Sequence, residues 1–152
     1  MASAKLALRL NRPQDQGLVV RTLGSLDFGL YAHKNHLQRD ERSWAFIGYD
    51  DSLRHLPQQK YLESYAADRP FKLRSNDQGI IISAVQAGLG IACLAHYQVR
   101  QLSSVIAIPC TAPPRRELWL VMHPDVRRSP RVRAIADLIS DIFLQEAAEL
   151  GP

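Results

Sequence analysis

Cysteine is scarce in this sequence, with two residues in a chain of 152. Cys93 and Cys110 both lie in apolar, strand-like runs, and neither has a cysteine or histidine partner at the spacing of a metal site. We therefore expect two reduced, buried thiols. We expect no metal and no other cofactor, and this use of cysteine fits the cytoplasm.

Long hydrophobic runs are absent as well, because no segment approaches the length of a membrane-spanning helix. The first ten residues, MASAKLALRL, are too short and too basic to form the apolar core of a signal peptide. We therefore expect a cytoplasmic protein with no membrane partner. Hydrophobic residues make up 46% of the chain and charged residues 22%, which suits one globular domain or two small lobes.

The motifs of common enzyme classes are missing too. The five histidines are dispersed, and none forms the paired spacing of a zinc protease. No nucleophile elbow of the form G-x-S-x-G occurs, and the glycine pair at 88–90 follows an apolar helix, where a phosphate loop would precede one. Asp50 and Asp51 are adjacent and superficially resemble a pair of catalytic carboxylates. On an extended segment, however, adjacent side chains point to opposite sides, so the two carboxylates do not face one site. We predict no catalytic residues and no enzyme activity.

Positive charge is in modest excess, with a formal net charge of +4. Basic residues are spread along the chain, except at Arg115-Arg116 and in RRSPRVR, residues 127–133. The second group is either a phosphate-binding patch or the solvated entry to a helix. Because it has no interleaved aromatic residues and the chain shows no helix-turn-helix pattern, we favour the solvated helix entry.

Hydrophobic periodicity predicts strands that alternate with helices, and hence an α/β fold with a mainly parallel sheet. Residues 18–33 predict an extended path with a bend at residues 23–25. Other strand patterns occupy residues 5–10, 43–50, 69–75, 91–95, 104–110 and 117–123. Short helices are predicted at 56–67 and 96–102, and a long one begins at Ser129-Pro130. The apolar face predicted for this last helix comprises Val132, Ile135, Ile139, Ile142 and Phe143.

One stretch, LRSNDQGIIISAVQAGLGIACLA at residues 73–95, combines a strand, three polar residues, an apolar helix, a glycine pair and a second strand. Asn76 or Asp77 is a natural N-cap of the helix, and Gly88 a natural C-cap. Ligands of α/β sheets bind where strands end and helices begin, and the helix dipole favours an anion there. Ser75, Asn76 and Asp77 therefore form a candidate binding site, although a helix needs such a cap whether or not it binds a ligand.

In this order and spacing, four segments resemble the C-terminal effector-binding domain of LysR-type transcriptional regulators. They are LALRL, VVRTLGSLDFGLYAHKNHL, the strand-SND-helix-AGLGIACLA unit and ELWLVMHPDVRRSPRVRAIADLISDIF. The resemblance covers about residues 5–145. It implies an α/β fold of the periplasmic-binding-protein type II-like kind, in which two lobes are joined by two crossover strands and a small effector binds between them.

The resemblance also implies that the chain enters this domain part-way, with the second lobe complete and the first lobe partial. Residues 1–25 would form part of the first lobe and the first crossover. Residues 26–118 would form the second α/β lobe. Residues 119–152 would form the return crossover and the C-terminal helix of the first lobe.

The function implied by the resemblance is effector sensing. A small metabolite would modulate DNA binding by a helix-turn-helix domain that is not present in this chain. The helix N-terminus after Ser75 and the charge of Arg9 indicate that this metabolite is an anion. The full-length regulator would be a homo-oligomer, a dimer or tetramer, and would contact DNA only through that N-terminal domain. A solute-binding protein of a transport system, which shares the two-lobe fold, remains the alternative.

Effector contacts follow from the same resemblance. Arg9 matches an arginine at the end of a strand in the family, which faces the cleft in some members. The alternative interpretation is that Arg9 is a surface arginine beside a turn and binds no effector. Asp77 would oppose an anionic effector unless it only caps the helix or faces an amine. The complete set of implied effector-binding residues is Arg9, His33, Ser75, Asn76, Asp77, His96 and Tyr97.

Overall fold

The structure is a computed structural model that describes residues 6–10, 12–14, 17–126 and 128–150, with side chains described up to residue 143. Lys5 and Arg127, which belong to segments discussed above, lie outside the described residues. The chain divides into two compact units, one formed by Met1–Leu26 with Arg115–Pro152 and the other by Asp27–Pro114. No helix in the described part is long and apolar enough to cross a membrane.

Strands and helices alternate along most of the chain. The strands are β1 (Leu6–Leu10), β2 (Val19–His33), β3 (Phe46–Tyr49), β4 (Phe71–Ser75), β5 (Ala92–Ala95), β6 (Val105–Ile108) and β7 (Arg115–Met122). The α-helices are α1 (Pro57–Ala66), α2 (Gln78–Gln86), α3 (His96–Val99) and α4 (Pro130–Leu150). The predicted bend at residues 23–25 does not break β2, because Gly24 absorbs the deviation at a φ of 135°.

The sheet in the unit Asp27–Pro114 is mixed, which corrects the expectation of a mainly parallel sheet. β3 and β4 pair in parallel, and a parallel bridge between Phe46 and Ile91 places β3 beside the start of β5. β2, however, runs antiparallel to both of its neighbours here, with Phe28 opposite Ala95 on β5 and His33 opposite Val105 on β6. The carboxyl ends of β3, β4 and β5 therefore share one edge of the sheet, while the end of β2 lies at the opposite edge.

Helix α2 supplies much of the core of this unit. Ile81, Ala84 and Val85 are buried, as their helical spacing predicts, and pack with Ile47, Leu94 and other strand residues. Ala87 is the C-cap, and Gly88 follows it in the left-handed conformation with a φ of 80°. The prediction that Gly88 ends the helix is thus confirmed, although the C-cap residue is Ala87 and Gly88 is the residue after it.

The unit formed by the two ends of the chain is built on β1, β7 and α4. β1 pairs antiparallel with β7 in a register that sets Leu6 opposite Met122. Ala136 of α4 is fully buried in a core with Leu120 and other residues of β7 and β2. Val132, Ile139 and Phe143 pack against this core from the same side of α4.

The predicted apolar face of α4 is therefore wrong at two positions. Ile135 and Ile142 are 43% and 47% exposed. The buried stripe runs through Val132, Ala136, Ile139 and Phe143, at steps of four, three and four residues, so Ile135 and Ile142 lie on its flank. The sequence interpretation passed over Ala136 because alanine is a weak hydrophobic signal.

Candidate functional site

The start of α2 sits at the edge where β3, β4 and β5 end. Asp77, and not Asn76, is the N-cap of α2, because its Oδ1 accepts the N–H groups of Gly79 at 2.8 Å and Ile80 at 3.2 Å. The hydroxyl of Ser75 accepts the N–H of Asp77 at 3.0 Å. The carboxylate of Asp77 therefore already occupies the positive end of α2, and a ligand meets a capped helix with Asn76 exposed beside it.

The second polar segment at this edge begins α3. His96 and Tyr97 are both exposed and directly follow β5. The Nδ1 atom of His96 is hydrogen-bonded to the phenol of Tyr31. Burial raises the pKa of Tyr31 to about 12, so the phenol keeps its proton and can donate it to Nδ1. In that tautomer His96 presents its Nε2–H group as a donor.

A chain of side-chain hydrogen bonds joins the two segments. The hydroxyl of Tyr49 donates to Oε1 of Gln78 at 2.7 Å, and Nε2 of Gln78 donates to Oε1 of Gln98 at 3.3 Å. The same Gln98 oxygen accepts the N–H of Ala95 at 2.9 Å. This network ties the end of β3, the first turn of α2 and the start of α3 into one surface.

Sequence reasoning missed the members of this network. Tyr49 ends β3 and lies one residue before the end of the predicted strand 43–50, and that position at the carboxyl edge was a usable signal. Gln78 and Gln98 gave none, because they lie 20 residues apart and only the fold brings their amides together.

A small cavity lies beneath the network. It measures about 10 Å³, which is room for roughly one water molecule. Gln58 lines it and is buried, and its Oε1 has no hydrogen-bond partner among the described residues. A cavity of this size and polarity suits a water, so an effector would contact the outer surface of the edge.

Two further predicted residues, His33 and Arg9, belong to other elements of the fold. His33 is at the opposite edge of the sheet, opposite Val105, where its Nδ1 accepts the N–H of Asn35 at 3.0 Å. Arg9 belongs to the other unit, on β1, where it is exposed and pairs in register with Trp119. The structure brings together Ser75, Asn76, Asp77, His96 and Tyr97.

The two cysteines are free. Cys93 is buried on β5, and burial raises the pKa of its thiol to about 12. Cys110 is only half-buried, which departs from the expected burial, because the chain has left the sheet after Ile108. Within the described residues, no three His, Cys, Asp or Glu side chains lie close enough together to hold a metal ion.

Comparison with known proteins points in one direction. The sequence model of the LysR substrate binding domain matches residues 3–143. The Mau operon transcriptional activator of Paracoccus denitrificans is 26% identical over 156 residues, covering 95% of this chain and 50% of that protein. The chain thus spans about half the length of this curated relative.

Solved structures show the same fold at low identity. Full-length LysG from Corynebacterium glutamicum, with bound effector Arg, gives a TM-score of 0.71 at 15% identity, over 93% of this chain and 51% of that one. The CcmR regulatory domain of Synechocystis PCC6803, in complex with 2-PG, gives 0.70 at 15% identity, over 91% and 73%. These similarities confirm the predicted α/β fold of the periplasmic-binding-protein type II-like kind.

Proposed function

Since this chain belongs to the family of LysR substrate-binding domains, we propose that it is the effector-sensing part of a transcriptional regulator. The match of that family's sequence model to residues 3–143 carries this conclusion. The domain is a LysR-type effector-binding domain, and the comparisons give no support to a transport protein. Assignments of a particular effector, DNA site and assembly state are proposals.

The effector surface that we propose is the edge formed by Asn76, Asp77, His96 and Tyr97. It offers an amide, a histidine N–H and an aromatic face, all exposed. Polar groups of this kind fix the orientation of a small ligand. We keep an anionic metabolite as the proposed effector, and assign its charged group to the donors of Asn76 and His96.

Asp77 limits how that anion can bind. Its Oδ1 atom already accepts two N–H groups, so the positive end of the helix partly offsets the charge of this carboxylate. A ligand that also carries an amine could place it beside Asp77 and form an ion pair with this carboxylate. The effectors named for the two solved relatives, Arg and 2-PG, are different molecules, so the shared fold does not fix the effector.

The output of the sensor is regulation of DNA binding. An effector acts only by binding one arrangement of the regulator better than another. We propose that this shift is passed to a helix-turn-helix domain that the residues of this chain do not supply. The regulator would act in the cytoplasm as a dimer or tetramer, and the proposal includes no catalytic step.

The experiment is a metabolite screen by thermal shift, followed by calorimetric titration of the hits. Asn76→Ala and His96→Ala should each weaken the best hit by about tenfold, the value of one hydrogen bond to a charged group. Gln86→Ala is the matched control, because Gln86 is an exposed amide at the far end of the same helix. Equal affinities in all three variants would show that this edge is not the effector site.

A further inference from the structure

We propose that the unit formed by the chain ends contains an anion site that takes a small, phosphate-bearing molecule. The site is a concavity of about 480 Å³ lined by Arg21, Arg128 and Arg133, with Val19 and Met122 as its apolar wall. All five residues belong to the same unit, Met1–Leu26 with Arg115–Pro152. The residues of the proposed effector surface belong to the other unit, and none of them lines this concavity.

The three arginines come from two distant parts of the chain. Arg21 projects from β2, whereas Arg128 and Arg133 flank the start of α4. The fold therefore adds the guanidinium of Arg21 to two arginines of the basic group at residues 127–133. A flat, solvated helix entry, which the sequence favoured, would not gather arginines from two elements around one concavity.

Charge balance at the concavity favours an anion. Arg21 donates to Oδ1 of Asp137 at 3.0 Å and to the hydroxyl of Ser140 at 3.2 Å, which fixes its position. Within the described part of the chain, no carboxylate lies within ion-pairing distance of Arg128 or Arg133. Guanidinium groups held together without matching carboxylates repel one another, and a bound anion relieves that repulsion.

The chemistry of the lining selects phosphate. A guanidinium presents parallel N–H donors that match two oxygens of a phosphate group, and several arginines suit an anion of two or more charges. Val19 and Met122 exclude water from one side, which strengthens these contacts. The volume falls in the usual range of small-molecule sites. A concave site admits a small phosphate more readily than the backbone of a DNA duplex.

Calorimetric titration of the 152-residue chain with pyrophosphate tests the site. Arg128→Gln and Arg133→Gln should each weaken binding by about tenfold, the loss of one charge-assisted contact. Arg131→Gln is the matched control, because Arg131 is exposed on the same first turn but does not line the concavity. It should change the affinity less than twofold, and Asn76→Ala in the other unit should leave it unchanged.

Three results would overturn the proposal. The wild-type chain could show no binding of pyrophosphate at concentrations up to about 10 mM, which would detect even a weak dissociation constant. The three arginine variants could weaken binding equally, which would indicate diffuse charge. A DNA duplex could displace pyrophosphate completely and bind Arg131→Gln as weakly as it binds Arg128→Gln and Arg133→Gln. That result would assign the arginines to the binding of nucleic-acid phosphates. Melting temperatures without ligand show whether each variant is folded.

Discussion

His36 shows how a single buried side chain links stability to pH. It is 2% exposed, and its Nε2 accepts the N–H of Ala45 at 3.2 Å. Burial, followed by the positive charge of Arg39, lowers the pKa of His36 below its usual 6.5. The folded chain therefore holds His36 neutral at a pH where the unfolded chain has begun to bind a proton.

We expect the free energy of unfolding to fall as the pH drops below 6.5. The unfolded state gains a proton that the folded state does not accept until the lowered pKa is reached, and this difference favours unfolding. Urea unfolding at pH 7.5, 6.5 and 5.5 measures the effect. His36→Gln should reduce the dependence of the unfolding free energy on pH. An unchanged slope in His36→Gln would assign the pH dependence to other groups.

Gly90 shows a second residue-scale constraint, imposed by backbone packing. A Cβ added at this position would lie 2.7 Å from the carbonyl oxygen of Ala45, which is far too close. The N–H of Ile91 donates to that same oxygen, so the backbone cannot retreat without losing the bond.

Gly90→Ala should destabilise the chain by about 1–3 kcal/mol, the usual range for overpacking a core. Gly88→Ala is a useful comparison, since a Cβ added there would meet only the Cβ of His33, at an ordinary contact distance of 3.9 Å, and the φ of 80° is what opposes a side chain. Left-handed strain costs about 1–2 kcal/mol. Urea midpoints with circular dichroism measure both changes. Full stability in Gly90→Ala would mean that β3 and β5 separate easily here.

At the scale of elements, helix α2 depends on one carboxylate for its beginning. Asp77→Ala removes the acceptor for the N–H groups of Gly79 and Ile80 and should cost about 1 kcal/mol. Asp77→Ser retains a capping oxygen and should recover most of that loss. Unfolding in urea, without ligand, measures both. If the two variants are equally stable, the cap contributes little and the tertiary packing of α2 sets its stability.

Elements with local signals were predictable from the sequence. The cap at Asp77, the apolar face through Ile81 and the glycine at 88 are all encoded within a dozen residues. The direction of β2 was not predictable in this way, because strand polarity depends on distant neighbours. That direction places His33 at the edge opposite Ser75.

The candidate site also combines residues that a local sequence pattern predicts with contacts that depend on distant parts of the chain. Ser75, Asn76 and Asp77 follow from the rule that ligands meet the carboxyl ends of strands. The hydrogen bonds of Gln78 with Tyr49 and Gln98 depend on strand order, which one sequence does not reveal. The third arginine of the proposed phosphate site was missed for the same reason, because Arg21 is remote in sequence from α4.

At the scale of the whole molecule, the unit Asp27–Pro114 begins and ends at one place. The N–H of Phe28 donates to the carbonyl of Pro114 at 3.0 Å. A segment with its own core and adjacent ends meets the usual conditions for independent folding.

The excised segment 27–114 should therefore fold alone and unfold cooperatively. Circular dichroism during a urea titration, with dispersed amide NMR signals, measures this. Residues 37–124 form a control of equal length that lacks β2, and they should not fold. A segment 27–114 without a cooperative transition would show that it needs the remaining residues.

The adjacent ends of this segment also bear on the order of folding. Leu10 pairs with Leu118, so β1 and β7 close a loop of roughly 100 residues if nothing else has formed. Once Asp27–Pro114 has folded, its touching ends shorten that loop to roughly 20 residues. The entropic cost of closing the loop then falls by about 1.5 kcal/mol, so we expect β1 and β7 to pair after Asp27–Pro114 has folded.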